Sequence, residues 1–281
     1  MSLPDSDKVF AGSVPQLYDE YLLPLIFDPY AIDISARTAA RRPGHVLEIA
    51  AGTGAVTRHL ATDLPEGSTI VATDLNPGMI ARAREVGTAR PVEWQTADAM
   101  KLPFADASFD AVVASQCWMY FDVERTLAQV RRVLRPGGVL VTTHFSWLPR
   151  ADPIARASEA LVLGLNPAWQ GADWSGRIAT EPAWAAGRAS VAAMFWFDAD
   201  VPFSRADWRG RMRACRGVGA SLPDADVAAF DAALDAWLQA NTAPTFTVRH
   251  RIDAHLFTPW PPGAASAAPA RAEKGFPGRA D

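Results

Sequence analysis

Between residues 46 and 145, apolar strand-like runs alternate with helical patterns, and this alternation restricts the possible folds more than any other feature of the chain. The runs are "VLEIA", "TIVATD" at 69–74, "VEWQTAD" at 92–98, "FDAVVAS" at 109–115 and "GVLVTTHF" at 138–145. Helical patterns fall at 55–64, in "NPGMIARAREV" and at 123–134. Short, nearly continuous apolar strands separated by helices predict a doubly wound α/β sheet, parallel and buried on both faces. In such sheets ligands collect at the carboxyl ends of the strands, where the strand order reverses.

The first strand ends in such a place. "VLEIAAGTGAVTRHL" carries an acid, Glu48, within the strand and opens through Gly52 and Gly54 into a helix. Glycines there let a ligand approach the backbone with no side chain in the way. A dinucleotide fingerprint needs G-x-G-x-x-G, and the third position is Thr57. The frame Ala50, Gly52, Gly54 with Glu48 upstream serves a ligand without phosphates, whose ammonium and carboxylate meet a carboxylate-anchored loop. Asp74 ends the second strand twenty positions after Gly54, where an acid can accept from both ribose hydroxyls. Capping the helix that starts at Asn76 or Pro77 is also physically sound, but in combination with the glycine loop the ribose role is favoured; alone, Asp74 does not separate NAD from other adenosine ligands. Asp98, in "TADAM", can accept from an adenine amine while the Ala99 N–H donates to a ring nitrogen; an ordinary turn aspartate is the plain alternative.

Four blocks, "VLEIAAGTG", "ATDLNPGMI", "ADAMKLPFADASFDAVVAS" and "VRRVLRPGGVLV", follow one another in that order. Together they resemble the class I S-adenosylmethionine-dependent methyltransferases, in particular the small-molecule branch typified by ubiquinone and menaquinone C-methyltransferases. The resemblance covers about residues 46–145. It implies a Rossmann-like, seven-stranded, mostly parallel sheet with helices on both faces and one antiparallel strand in the last pair. It also implies S-adenosyl-L-methionine as cofactor, with Glu48, Ala50, Gly52 and Gly54 at its methionine part, Asp74 at the ribose, and Asp98 with Ala99 at the adenine. Leu75 and Met79 would pack on the adenosine, and Ser115 and Gln116 would lie along the methionine arm. Ala50 departs from the commonest family form, which has glycine.

A sulfonium methyl is already activated, so the protein's task is to align an acceptor and exclude water. A base is needed only where the acceptor must lose a proton. Candidates are His144 at the end of the fifth strand, His250 and His255 near the C-terminus, and Tyr18 or Tyr21; His144 is best placed, with Tyr21 beside it as a catalytic candidate. His250 and His255 read as structural. The acceptor pocket is expected from "QCWMYF" and the tryptophan-rich stretch, with Tyr18, Trp118, Tyr120 and Trp147 as lining residues. The expected reaction is methyl transfer to an oxygen, nitrogen or carbon of a small apolar or aromatic molecule. A noncatalytic S-adenosylmethionine-binding protein and an NAD-dependent oxidoreductase are the alternatives, the second disfavoured by Thr57 and the Asp98 block.

The rest of the chain is expected to complete this core. Residues 1–45 read as an N-terminal helical lid, 46–145 as the cofactor-binding core, 146–258 as a substrate-pocket insertion with the last strands, and 259–281 as a disordered tail rich in Pro, Ala and Gly. "MFWFDADVPF" and "TFTVRHRIDAHLFT" read as strands, with helices near 206–215 and 224–240 between them. A net charge of −4 offers no basic footprint for nucleic acid or an anionic membrane. The two cysteines, Cys117 and Cys215, suggest neither a disulfide framework nor a zinc site, so no metal is expected. The first residues have neither the cationic start nor the apolar run of a signal peptide, and no later run is long enough to span a bilayer. A cytoplasmic protein, monomer or homodimer, acting on a small molecule is the expectation.

Overall fold

The structure, a computed structural model, describes residues 28–39, 41–219 and 221–260. Most of the expected lid, with Tyr18 and Tyr21, and the expected tail from residue 261 lie outside the described residues. Helix α1 (Asp28–Ala39) precedes β1 (His45–Ile49), α2 (Ala55–Asp63), β2 (Thr69–Asp74), α3 (Pro77–Val86), β3 (Glu93–Thr96) and β4 (Phe109–Ser115). A 3-10 turn at Trp118–Tyr120 leads to α4 (Val123–Val133), β5 (Leu134–Trp147) and α5 (Pro153–Leu165). The described residues continue through β6 (Ser190–Ser204), α6 (Arg205–Arg213), α7 (Asp224–Asn241) and β7 (Thr245–Thr258).

The seven strands form one sheet in the order β3-β2-β1-β4-β5-β7-β6. Strands β1 to β5 pair in parallel, whereas β7 is antiparallel to both β5 and β6. This is the expected mostly parallel sheet with one reversed strand. Helices lie on both faces. Ala31 and Ile34 of α1 and Val56 and Leu60 of α2 bury Val46, Ala111, Val113 and Val141 on one face. Leu127 and Val130 of α4 bury Leu47, Val112 and Leu140 on the other. The strand order reverses between β1 and β4, which places the cleft at their carboxyl ends.

Helix α5 was absent from the sequence expectations. Its start was legible nonetheless: Asp152 accepts from Ile154 N–H at 2.8 Å and Ala155 N–H at 2.9 Å, and Pro153 occupies the first turn. Strand β3 is shorter than the 92–98 run, so Asp98 lies beyond it in a turn where its carboxylate accepts from Met100 N–H at 2.8 Å.

Strands β5, β6 and β7 run past the carboxyl end of β4. The last β4–β5 pair is Ser115↔Thr143, yet β5 continues to Trp147, and β7 pairs with β6 down to Thr245↔Ser204. Helices α5, α6 and α7 pack on this overhang around Trp147, Phe203, Trp208, Phe230 and Ile252. What makes the overhang feasible is Gln116. With φ of 56° it turns the chain out of β4, while its side chain takes over the lost ladder bonds. Its Nε2 donates to the Phe145 carbonyl at 2.7 Å, and its Oε1 accepts from the Phe145 N–H at 2.9 Å. Gln116→Ala leaves both Phe145 groups without this partner, and we expect a loss of about 1–3 kcal/mol in urea unfolding; an unchanged midpoint would show that water replaces the clamp at no cost.

Candidate functional site

The loop after β1 follows from its backbone. Ala50, Gly52 and Gly54 have φ of 50°, 59° and 86°, all left-handed. Gly54 has a second reason to be glycine: an added Cβ would stand 2.5 Å from the Trp94 ring. Ala50 tolerates its conformation at a cost of about 1–2 kcal/mol relative to glycine, which is the physical content of its departure from the commonest family form. The loop is held from β2, because Asp74 accepts from Gly52 N–H at 2.9 Å through one oxygen and from Asn76 N–H at 2.8 Å through the other. Asn76, rather than Asp74, caps α3 by accepting from Gly78 N–H at 2.7 Å.

Glu48 lies beneath this loop, almost fully buried, with Thr57 donating to its Oε2 at 2.5 Å. Burial pushes its pKa from 4.5 up to about 8, against the opposing effects of the Thr57 hydroxyl and Arg58. Burial also raises Asp74, opposed by its backbone N–H donors. The position of Thr57, which breaks the dinucleotide fingerprint, is therefore occupied by a side chain that anchors the acid.

At the carboxyl edge, Ala99 and Met79 are buried while Leu75 stands 53% exposed beside Asp74. Ser115 accepts from the Thr143 hydroxyl at 2.8 Å. Ser115 and Thr143 line a small cavity together with Ala31, Ile34, Val56, His144, Phe145 and Ile252. Glu48, the loop, Asp74, Leu75, Met79, Asp98, Ala99 and Ser115 lie along the strand ends. Gln116 is there too, but its amide is spent on β5.

His144 sits one residue past the last β4–β5 pair, and register places its side chain on the face opposite Ser115 and Thr143. Its ring meets the Trp174 ring edge to face at 5.5 Å, and its Nδ1 lies 3.5 Å from Asp253 Oδ1. His250 is fully buried among Trp147, Trp208 and Phe203, and burial depresses its pKa to about 3, which keeps it neutral.

The aromatic residues separate into two groups. Trp118 packs against Trp184 at 4.8 Å, and Trp184 against Phe257 at 4.7 Å. Tyr120 lies beneath Arg216, whose guanidinium stands 5.6 Å from both the Tyr120 and Trp169 rings. Trp147 instead belongs to the helical core, where its indole and that of Trp169 donate to the two oxygens of the buried Glu159, each at 2.6 Å. Glu159, Arg216 and Asp253 were not among the sequence candidates. Only the alternation of "RIDAH" in β7 carried a signal, since it puts Asp253 and His255 on one face. Burial raises both thiols, Cys117 well above its ordinary range and Cys215 to about 11, so neither is an activated thiolate. Among the described residues no group of His, Cys, Asp and Glu could hold a metal ion, and no helix is long and apolar enough to cross a membrane.

The family described as "Methyltransferase domain" matches residues 47–142, which run from β1 into β5. The matched core of this chain, residues 47–142, is similar to a methyltransferase domain. It is 38% identical over 123 residues to a demethylmenaquinone methyltransferase of Thermus thermophilus, covering 43% of this chain and 54% of that protein. It is 34% identical over 143 residues to the ubiquinone/menaquinone biosynthesis C-methyltransferase UbiE of Klebsiella pneumoniae, covering 49% and 55%. The chain spans about half the length of the curated relatives it matches. The solved structure of the YcgJ protein from Bacillus subtilis shares the fold, with a TM-score of 0.51 at 20% identity over 81% of this chain and 98% of that one. The residues present fit S-adenosylmethionine: a buried acid below a left-handed loop, a half-buried Asp74 with lone pairs to spare, and an exposed leucine beside it.

The raised Glu48 pKa has a stability consequence. Its protonated form is favoured by folding, so the contribution is fully present below about pH 4.5 and is lost as pH rises toward 8. Unfolding free energy of the ligand-free protein should therefore fall by a few kcal/mol between pH 5 and 8 relative to Glu48→Gln; parallel curves for the two proteins would show that Glu48 is ionised in the fold.

Proposed function

We propose that this chain is an S-adenosylmethionine-dependent methyltransferase acting on a small, apolar or aromatic molecule, at an oxygen, nitrogen or carbon. The observation that carries the reading is the convergence of Glu48, the left-handed loop and Asp74 with the Asp98–Ala99 turn at one strand edge. That edge lies beneath an overhang bearing aromatic side chains.

In this reading Glu48 and the loop backbone meet the methionine ammonium and carboxylate, and Asp74 accepts from the ribose. Asp98 and Ala99 meet the adenine, Leu75 and Met79 cover the adenosine, and Ser115 lies by the methionine arm. Gln116 acts there through the backbone it holds. When bound, the cofactor supplies an activated methyl group; the chain's own work is to orient the acceptor and keep water away. Trp118, Tyr120 and Trp169, with Arg216 across the last two rings, form the wall that supports an aromatic acceptor. The names of the curated relatives refer to quinone rings, which agrees with that wall. Trp147 supports it from behind through Glu159. The net charge of −4 supports a diffusible small molecule over nucleic acid, and we place the protein in the cytoplasm as a monomer or homodimer. Tyr18 and Tyr21 remain candidates at the acceptor.

Calorimetry should show binding of S-adenosylmethionine and S-adenosylhomocysteine but not NAD; binding of NAD alone would overturn the reading. Asp74→Ala should weaken S-adenosylmethionine by about 1–3 kcal/mol, since it removes acceptors for the ribose and loosens Gly52; unchanged affinity in a folded variant would confine Asp74 to a structural tie. Release of S-adenosylhomocysteine against phenols, amines and prenylated quinone precursors tests catalysis, and binding without turnover across that panel would favour a noncatalytic cofactor-binding protein.

A further inference from the structure

The overhang brings together three side chains that neither the cofactor site nor the helical core uses. His144 and Asp253 are direct partners in the antiparallel β5–β7 ladder, so their side chains leave the same face of the sheet, and His255 lies two residues further along that face. Asp253 is 6% exposed and His255 4%, whereas the His144 side chain is 34% exposed beside Trp174. One Asp253 oxygen faces His144 Nδ1 at 3.5 Å, and the other faces His255 Nδ1 at 3.4 Å. His255 Nε2 lies 3.0 Å from the Ala179 carbonyl, in the segment that connects α5 to β6.

We propose that Asp253 is the positioning carboxylate of a His144 general base, and that the acceptor is a molecule whose hydroxyl proton leaves as the methyl group arrives. The proposal rests on the methyltransferase reading. Donor and acceptor counting supports it. The Ala179 carbonyl, 3.0 Å from Nε2, and the Asp253 carboxylate, 3.4 Å from Nδ1, can only accept, so the His255 ring stands between two acceptors. His255 is thereby fixed between β7 and the crossing segment, and it holds Asp253 in turn. The remaining Asp253 oxygen can accept only from a protonated His144 Nδ1, which leaves the lone pair on Nε2, at the half-exposed side of the ring. A carboxylate that selects the tautomer and orientation of an imidazole is the arrangement by which a histidine is made a base toward a hydroxyl. The 3.5 Å separation is long for a hydrogen bond, as such pairs often are before an acceptor is bound.

Position agrees with the role. His144 lies between Thr143 and Phe145, both bonded to Gln116 where β4 ends, at the level of the cofactor edge. The groups facing it are Asp253 and His255 of β7, Trp174 of the crossing segment and, one row over in β6, Trp196. Arg251, two residues before Asp253 on β7, is engaged by Asp198 and the Gly176 carbonyl, so it does not compete for Asp253. In the step proposed, the acceptor hydroxyl gives its proton to His144 Nε2 and its oxygen forms the new bond to the methyl carbon. The carbon–sulfur electron pair passes to sulfur, and the products are the methyl ether, S-adenosylhomocysteine and an imidazolium that later releases its proton to water.

The test begins with the ligand-free protein carrying 15N-histidine, where long-range 1H–15N correlation reads which ring nitrogen bears hydrogen. In the wild type we expect His144 with Nδ1 protonated and Nε2 bare; in Asp253→Ala, and in the isosteric Asp253→Asn should the first not fold, that preference should be lost. A bare Nδ1 in the wild type, or a tautomer indifferent to either substitution, would overturn the proposal without any acceptor being known. With a phenol from the panel that is turned over, His144→Ala should lower kcat by about 10²–10⁴-fold and remove the rise of rate with pH. Asp253→Ala should lower it by about tenfold or more while S-adenosylmethionine affinity stays at the wild-type value. Failure of the wild type to bind S-adenosylmethionine would sink the methyltransferase reading instead, which the tautomer measurement does not touch.

Discussion

The register of β5 against its two neighbours is the constraint on which the rest of the structure depends. On one side β5 pairs in parallel with β4 and must stop at Ser115; on the other it pairs antiparallel with β7 and continues to Trp147. A strand that outruns its neighbour exposes unpaired backbone groups, and each buried one is costly. Gln116 meets that demand with the two ends of one amide. Once β5 can continue, β7 and β6 have a template beyond the sheet's carboxyl edge, and α5 to α7 have an apolar surface to cover.

Two different electrostatic regimes result along that edge. Under the β1 loop, desolvation dominates: Glu48 has one hydroxyl donor, and burial raises it to about 8. On the overhang, partners dominate: Asp253 is also buried, yet His144 and His255 hold its carboxyl below the ordinary range. The same residue class is thus tuned in opposite directions by the number of donors that face it. The helical layer uses a third solution, in which Glu159 of α5 accepts from two indoles and ties that helix to β5 and to the segment that follows it. Trp147 is thereby tied into the helical layer through Glu159.

The loop after β1 and the acids at the strand ends were largely legible in advance because their determinants are local. Left-handed turns need small residues, strand ends offer acids to a ligand, and the intervals between Glu48, Gly54, Asp74 and Asp98 follow from strand and helix lengths. Helix α5 was missed although its Asp-Pro start obeyed ordinary capping rules, because the surrounding tryptophans drew the segment into an irregular reading. The face that His144 occupies and its pairing with Asp253 were not legible in the sequence, because both follow from the β5–β7 register.

By itself, then, the sequence determined the alternating α/β order, the parallel core, the glycine loop and the acids that line it, since each depends on residues close together in the chain. Only the tertiary structure decided which histidine meets which carboxylate, how far β5 to β7 overhang the cleft, and which tryptophans face the core. The physical reason is the two-residue period of a strand: a register shift of one residue sends every side chain to the opposite face. That register is set by long-range pairing and by the Gln116 clamp, neither of which is written in any single stretch of the chain.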